Sequence, residues 1–340
     1  MRIAFVGIKR PYKEMPESYR DFFDQYHLEL PYYYAKAGND VTIVTTDDSR
    51  DARQVGNGVL RRVTEKQYAE IPQKYHIVVH WRKWFETLYM PGALNVVNCQ
   101  DHSFSGEWID SIRKAKLENK LYGILCFPNW HKENLKEETG FPANRLLDGV
   151  TLGVDTDIYK PHDQKDPYQM LWASDPGRGF SKVVPLTIEL FRRDKRYKLH
   201  VCYPDYVKHF PPVAHPAFIW HGSVQNGQKL WDLFNKCGVL PYTSTFKEPS
   251  SRAHRQAQAA GSLVLYPPAM GTPSDLIGHD VNGIVSDPSG WADEIHQKVT
   301  SGDWRRLGTN ARQLALSENW DVQGKRFTTL FQSIIMGERK

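Results

Sequence analysis

The chain has 340 residues, 40% apolar and 24% charged, with a formal net charge of +5. These values fit a globular protein with enough chain for two domains, and a basic balance of this size does not by itself indicate nucleic acid. No run of about 18 apolar residues is present, so no transmembrane helix is expected, and residues 2–7 read as a first buried strand rather than a signal peptide.

Four cysteines, Cys99, Cys126, Cys202 and Cys237, are scattered without metal-ligand spacing. They are expected to be reduced structural thiols, which favours a cytoplasmic location. Residues 1–160 carry 22 basic and 22 acidic side chains, and residues 161–340 carry 22 and 17. The positive surplus therefore lies in the second half, where an anionic ligand is the more natural guest.

In chain order, a strand at 2–7 and another at 41–45 flank a helix at 28–37, which Gly38 stops. Strand, helix and strand at this length make a βαβ unit. The segment after the first strand is rich in cations, and Lys9, Arg10 and Lys13 read as a solvated loop or as acceptor contacts. Strands at 77–80 and 94–98 end in His80 and in Gln100-Asp101-His102. Strand C-termini are where open α/β sheets place their sites, so His80, Asp101 and His102 become candidates. A strand at 121–127 and a helix opening at Asn129 complete the first half. A polar linker, 161–167, then leads to a new strand at 170–174.

The second half repeats the alternation. Asp175-Pro176-Gly177-Arg178-Gly179 is a glycine-rich turn between that strand and a helix over 180–192, an anion-cradling layout. Arg178 offers a bidentate fork to phosphate, and Lys182 a point charge one turn on. Strands at 199–202 and 218–220 follow, the second running into Gly222-Ser223-Val224. After a helix at 229–237 and a strand at 239–242 comes Glu248, then a helix over 251–260 with Gly261 at its C′ position. Glu248, Ser250 and Ser251 stand at the helix start, where backbone amides lack intrahelical partners. Glu248 and Gln256, with seven residues between them, suit the hexose and ribose ends of a nucleotide sugar. A Pro/Gly loop, 267–273, brings Gly271 and Thr272 to the same end. The last helices span roughly 304–316 and 322–335.

Residues 241–287 resemble the donor-binding signature of the retaining family-4 (group 1) glycosyltransferases with the GT-B fold. That signature is an acidic residue, seven residues, a second Glu and then Ala-x-Ala-x-Gly. Glu248, Ala257, Ala259, Ala260 and Gly261 match it. Gln256 stands in place of the second Glu, and Pro249-Ser250-Ser251 in place of the usual Phe-Gly. Residues 147–161 are similar to the family's interdomain segment through Gly153, Val154, Asp155, Tyr159 and Pro161.

The resemblance implies an α/β GT-B architecture of two Rossmann-like domains facing across a cleft. It implies an acceptor-side domain at 1–160, a donor domain at 161–318 and a final helix, 319–340, crossing back to the first. It further implies a retaining transfer of a hexose from a nucleotide-diphosphate sugar to a hydroxyl acceptor, by same-face attack and without a metal. UDP- or GDP-sugars are the expected co-substrates, with no other cofactor.

In this reading Glu248 orients the sugar and Arg178 and Lys182 meet the diphosphate. Gln256, Ser250, Ser251, Gly271 and Thr272 contact the donor, and Gly222, Ser223 and Val224 pack on the base. His102, with Asp101 beside it, faces the transferred sugar, and His80, Arg10 and Lys13 lie on the acceptor side. The acceptor is expected to be a glycan or a lipid-linked saccharide, the latter compatible with peripheral membrane contact. Two alternatives are DNA glucosylation at hydroxymethylated bases and a catalytically impaired nucleotide-sugar binding protein.

Overall fold

The computed structural model describes residues 1–8, 26–45, 51–70, 75–100, 106–148, 152–204, 206–207, 210–224, 227–244 and 247–337. The chain divides into two compact units, Met1–Thr151 with Trp320–Lys340, and Leu152–Asn319.

The first unit is built on β1 (Arg2–Val6), α1 (Tyr26–Lys36), β2 (Asp40–Thr45), β3 (Asp51–Val55), β4 (Gly58–Thr64), α2 (Glu65–Glu70), β5 (Ile77–Trp81), β6 (Leu94–Asn98), α3 (Gly106–Leu117), β7 (Gly123–Leu125), α4 (Trp130–Thr139) and β8 (Leu146–Leu147). Its sheet has the order β3-β4-β2-β1-β5-β6-β7-β8. The Ile3-Ala4-Phe5-Val6 and Ile77-Val78-Val79 runs are fully buried. Strands covered on both faces in this way read as continuous apolar runs, and they form the parallel centre of the sheet. Among the described residues only β3 and β4 pair antiparallel, with Val55 opposite Gly58 across Gly56-Asn57. This is a two-residue hairpin of the Gly/Asn type.

The second unit comprises β9 (Asp166–Ala173), α5 (Phe180–Arg193), β10 (Lys198–Tyr203), β11 (Phe218–Ser223), α6 (Gln228–Lys236), β12 (Cys237–Pro241), α7 (Arg252–Ala259), β13 (Leu263–Tyr266), α8 (Thr272–Asp275), β14 (Ile284–Val285), α9 (Trp291–Ser301) and α10 (Trp304–Ser317). Its sheet is parallel, in the order β11-β10-β9-β12-β13-β14. One core cluster, including Met170, Trp172, Val201, Val239, Leu265, Trp291 and Leu307, joins the sheet to α5, α9 and α10.

The last helix, α11 (Trp320–Ile335), packs on α1 of the first unit. Tyr34 stacks on Phe327 and Tyr33 on Trp320, while Asn39 Nδ2 donates to Thr328 Oγ1 at 2.7 Å. The segment 152–161 belongs to the second unit and is fastened there by polar contacts. Asp155 Oδ1 accepts from the amides of Asp157 and Ile158, and the Asn235 side chain binds Lys160 N and Ile158 O. No helix among the described residues is long and apolar enough to cross a membrane. The four cysteines are buried, and none forms a disulfide among the described residues.

Candidate functional site

The second sheet grows outward from β9 in two directions: β10 and β11 lie on one side, β12, β13 and β14 on the other. Between β9 and β12 the loops leaving the strand C-termini diverge. Open parallel sheets bind ligands at such a switch point. The loop after β9 carries Ser174 to Gly179, and the loop after β12 carries Tyr242 to Ser251. They are tied together by Thr243 Oγ1, which donates to Gly179 O at 2.6 Å.

Arg178 and Glu248 meet here. Arg178 Nη1 donates to Glu248 Oε1 at 2.7 Å, and the Glu248 side chain is 1% exposed while that of Arg178 is 37% exposed. Tyr242 Oη donates to the same Oε1 at 2.8 Å and Ser244 Oγ at 3.4 Å. Tyr242 Oη also pairs with Ser174 Oγ at 3.2 Å. All these contacts fall on one carboxylate oxygen. The other, Oε2, is buried and has no hydrogen-bond partner among the described residues. Burial pushes the Glu248 carboxyl above the usual carboxylate range, opposed by Arg178, Tyr242 and Ser244. Burial also works against charge on Arg178, but Glu248 and Tyr242 outweigh it and the guanidinium stays protonated.

Backbone geometry fixes the carboxylate as firmly as its partners do. Glu248 forms a parallel bridge with Gly271, and its amide donates to Met270 O at 3.0 Å. Beneath it, Trp172, Tyr242 and Tyr266 form a three-ring stack across neighbouring strands, with centroids 5.9 and 5.5 Å apart. His254 of α7 leans on the outer ring at 5.7 Å.

Two long helices begin at this edge and differ at their N-termini. α7 is capped, because Ser251 Oγ accepts from His254 N. α5 follows Gly179, in the left-handed region at φ 101°, and has no side-chain cap. Its first-turn amides and partial positive charge thus stand beside the Arg178 guanidinium, an arrangement suited to an anion.

The expected site residues fall into distinct places. Arg178 and Glu248 are brought together, with Gly271 against them. Ser250 lies just before the α7 cap, and the Ser251 hydroxyl oxygen serves the helix as that cap. Gln256 is buried, and its Nε2 donates to Tyr159 Oη at 2.7 Å, so its amide is committed to the 152–161 segment. Lys182 is exposed on α5, with its charge felt at Asp287. Gly222 and Ser223 close β11 rather than following it, beside a bulge at His221, and Val224 N donates to Tyr203 O at 3.1 Å. Thr272 opens α8, but its side chain is outside the described residues, as are Arg10, Lys13, Asp101 and His102.

His80, expected on the acceptor side, lies within the sheet of the first unit. It is fully buried, with Nε2 3.2 Å from Asn95 Oδ1 and Nδ1 accepting from Phe85 N at 3.3 Å. An apolar strand ending in His put it inside the sheet rather than at its rim. Tyr242, Ser244 and Ser174 were not singled out from the sequence. Their only signal was position, at the ends of strands that turn out to flank the switch point.

Burial makes two of these histidines acid-sensitive. Desolvation lowers His80 to about 4 and His254 to about 3. Both folded values lie below the unfolded one of about 6.5, so the unfolded chain binds more protons in between. Stability is full above pH 6.5 and falls as pH drops toward 4, by roughly 3–5 kcal/mol per histidine as an upper bound. A His254→Gln variant should therefore lose less stability than wild type between pH 7 and pH 5 in urea titrations. Parallel losses would contradict the buried neutral assignment.

No family model and no curated protein matches the sequence. Solved structures do. HepE of Anabaena, solved in complex with UDP, is similar over 99% of both chains at 15% identity and a TM-score of 0.65. A glycosyltransferase from Rickettsia africae matches over 98% of both chains at 12% identity and a TM-score of 0.69. Sucrose-phosphate synthase from Thermosynechococcus elongatus matches over 99% of both at 13% identity and a TM-score of 0.68. With two parallel-sheet α/β units matched along their whole length to such enzymes, the chain has the GT-B fold.

Proposed function

We propose that the protein is a retaining glycosyltransferase that moves a hexose from a nucleotide-diphosphate sugar to a hydroxyl acceptor, a glycan or lipid-linked saccharide. The observation that carries this reading is the Glu248 carboxylate. One oxygen accepts from Arg178, Tyr242 and Ser244, and the other is buried without a donor among the described residues. A buried carboxylate oxygen is costly until a donor reaches it, and a sugar hydroxyl is such a donor. The Arg178 cation and the uncapped α5 amides stand where a diphosphate would meet them. HepE, which shares the fold, binds UDP and UDP-glucose.

In the proposed reaction the bond between the anomeric carbon and the β-phosphate oxygen breaks. The acceptor oxygen bonds to that carbon on the same face, and the acceptor proton passes to the departing phosphate. Arg178 and the α5 amides stabilise the charge growing on the diphosphate, as fixed dipoles and cations do elsewhere, and no divalent ion is required. Glu248 holds the sugar hydroxyls, with Tyr242 and Ser244 keeping its carboxylate in place.

The test is a titration of UDP and GDP in thermal melts, followed by nucleotide-sugar turnover with acceptor pools in EDTA. One nucleoside diphosphate should stabilise the protein, and its sugar should be transferred with the anomeric configuration kept in the NMR spectrum of the product. Failure of every nucleoside diphosphate to stabilise it would overturn the donor assignment.

A further inference from the structure

The second unit also carries a solvent-open cavity of about 390 Å³, whose lining includes neither Arg178 nor Glu248. Pro161 and Lys165 on its wall precede β9 and Gly261 precedes β13, so the cavity opens beside strand N-termini. The site above follows strand C-termini, at the opposite edge. The facing wall is one stripe of α10, where Trp304, Gly308 and Arg312 recur every four residues with Arg305 and Thr309 alongside. The helix comes this close because residue 308 is glycine: a Cβ there would stand 2.2 Å from Gly261 O.

Charge sets this cavity apart. Lys165, Arg305 and Arg312 line it against a single carboxylate, Asp163. Among the described residues none of the three forms an ion pair; their partners are neutral. Lys165 Nζ donates to Phe234 O at 2.9 Å and Asn235 O at 3.2 Å, leaving a third N–H. Arg312 donates to the carbonyls of Tyr159, Thr156 and Ala259. Arg305 lies over the Trp304 ring, 4.8 Å from its centroid. Carbonyls satisfy N–H groups but bring no counter-charge, and the one carboxylate felt at Arg312, Asp157, lies outside the cavity lining. Desolvation accordingly pulls Lys165 down to about 7 and moves Arg312 below its ordinary value.

We propose that this cavity is a second ligand site, which binds a small organic phosphate the size of a monosaccharide phosphate. The volume lies in the small-molecule range of roughly 300–1,000 Å³. The two arginines outweigh the lone carboxylate, and an entering anion draws the proton back onto Lys165, which matches a phosphate dianion better than a single carboxylate. The phosphate lies against Lys165, Arg305 and Arg312, and the hydroxyls of the remainder reach Thr309, with the Trp304 ring as an apolar wall.

The test is calorimetric titration of the full chain with glucose 6-phosphate, inorganic phosphate and glucose, on wild type, Arg305→Glu and Arg178→Ala. Arg305 is exposed and makes no side-chain hydrogen bond among the described residues, so its reversal leaves the fold intact. Glucose 6-phosphate should bind wild type and Arg178→Ala within about threefold of each other, and Arg305→Glu at least tenfold more weakly. Inorganic phosphate should follow the same order at lower affinity, and glucose should not bind. Equal binding to Arg305→Glu, loss in Arg178→Ala, equal binding of glucose, or no binding to wild type at millimolar concentration would each overturn the proposal. UDP titrations on the same samples read the donor site separately, so either assignment can fail alone.

Discussion

Replacing Arg178 by alanine is expected to lower kcat/KM for the nucleotide-sugar donor by about 10²- to 10³-fold, the cost of removing one preorganised charge from a transition-state site. Two effects act together. In the proposed reaction the departing diphosphate loses the cation that Arg178 supplies beside the start of α5. Glu248, 1% exposed, also loses its ion pair with Arg178, so burial drives its carboxyl further up and favours the protonated form. A protonated Glu248 no longer offers two acceptor oxygens to sugar hydroxyls.

The folding cost should be smaller than for a fully buried pair, because Arg178 is partly in water; about 1–2 kcal/mol is reasonable. Arg178→Lys keeps the charge but loses the fork, and should fall between. Since the two residues act as one unit, Arg178→Ala with Glu248→Gln should cost less than the two single losses combined. The measurement is kcat/KM with circular dichroism on each variant. A folded Arg178→Ala protein with unchanged kcat/KM would remove this pair from the chemistry.

The order of elements was legible because apolar runs such as 2–7, 77–80 and 239–242 alternate with helices whose stops are glycines. Gly38 and Gly261 both adopt positive φ just past a helix. Strand order was not legible. The β9–β12 neighbourhood is what turns two sequence-distant loops into one site, and pairing is set by tertiary packing that no local pattern encodes. The β3–β4 hairpin went unread although Gly56-Asn57-Gly58 signalled it, because its flanking strands carry Arg53, Arg61 and Arg62 and break the apolar alternation.

Within the site, Arg178 and Glu248 were legible as residue types at helix starts, but their direct contact was not. A sequence reading assigned one to phosphate and the other to sugar; the structure adds that each sets the other's charge. Tyr242 carried no sequence signal as a polar residue, because an aromatic at a strand end reads as core. It is core through its ring stack and site through its hydroxyl.

Gly271→Ala should unsettle this arrangement without touching a charged group. A Cβ at residue 271 would lie 2.2 Å from Glu248 O and 2.6 Å from Glu248 N, both backbone atoms that no rotamer change can move. Residue 271 also sits at φ 97°, a conformation costing a non-glycine residue roughly 1–3 kcal/mol. The bridge to Glu248 must therefore open, breaking the bond from Glu248 N to Met270 O and moving the carboxylate away from Tyr242 and Arg178.

A loss of about 3 kcal/mol or more in stability is expected, from strain and displaced backbone together. A shift of about 1 Å in Glu248 should cost on the order of 10²-fold in kcat/KM among molecules that still fold. Gly302→Ala separates the two causes. It has a comparable φ of 82° but only the tip of Arg305 within 4 Å, so it should show the strain alone, about 1 kcal/mol. Urea titrations of both variants decide the matter. If Gly271→Ala is no less stable than Gly302→Ala and turns over donor at the wild-type rate, Glu248 does not depend on the close backbone approach that only glycine permits.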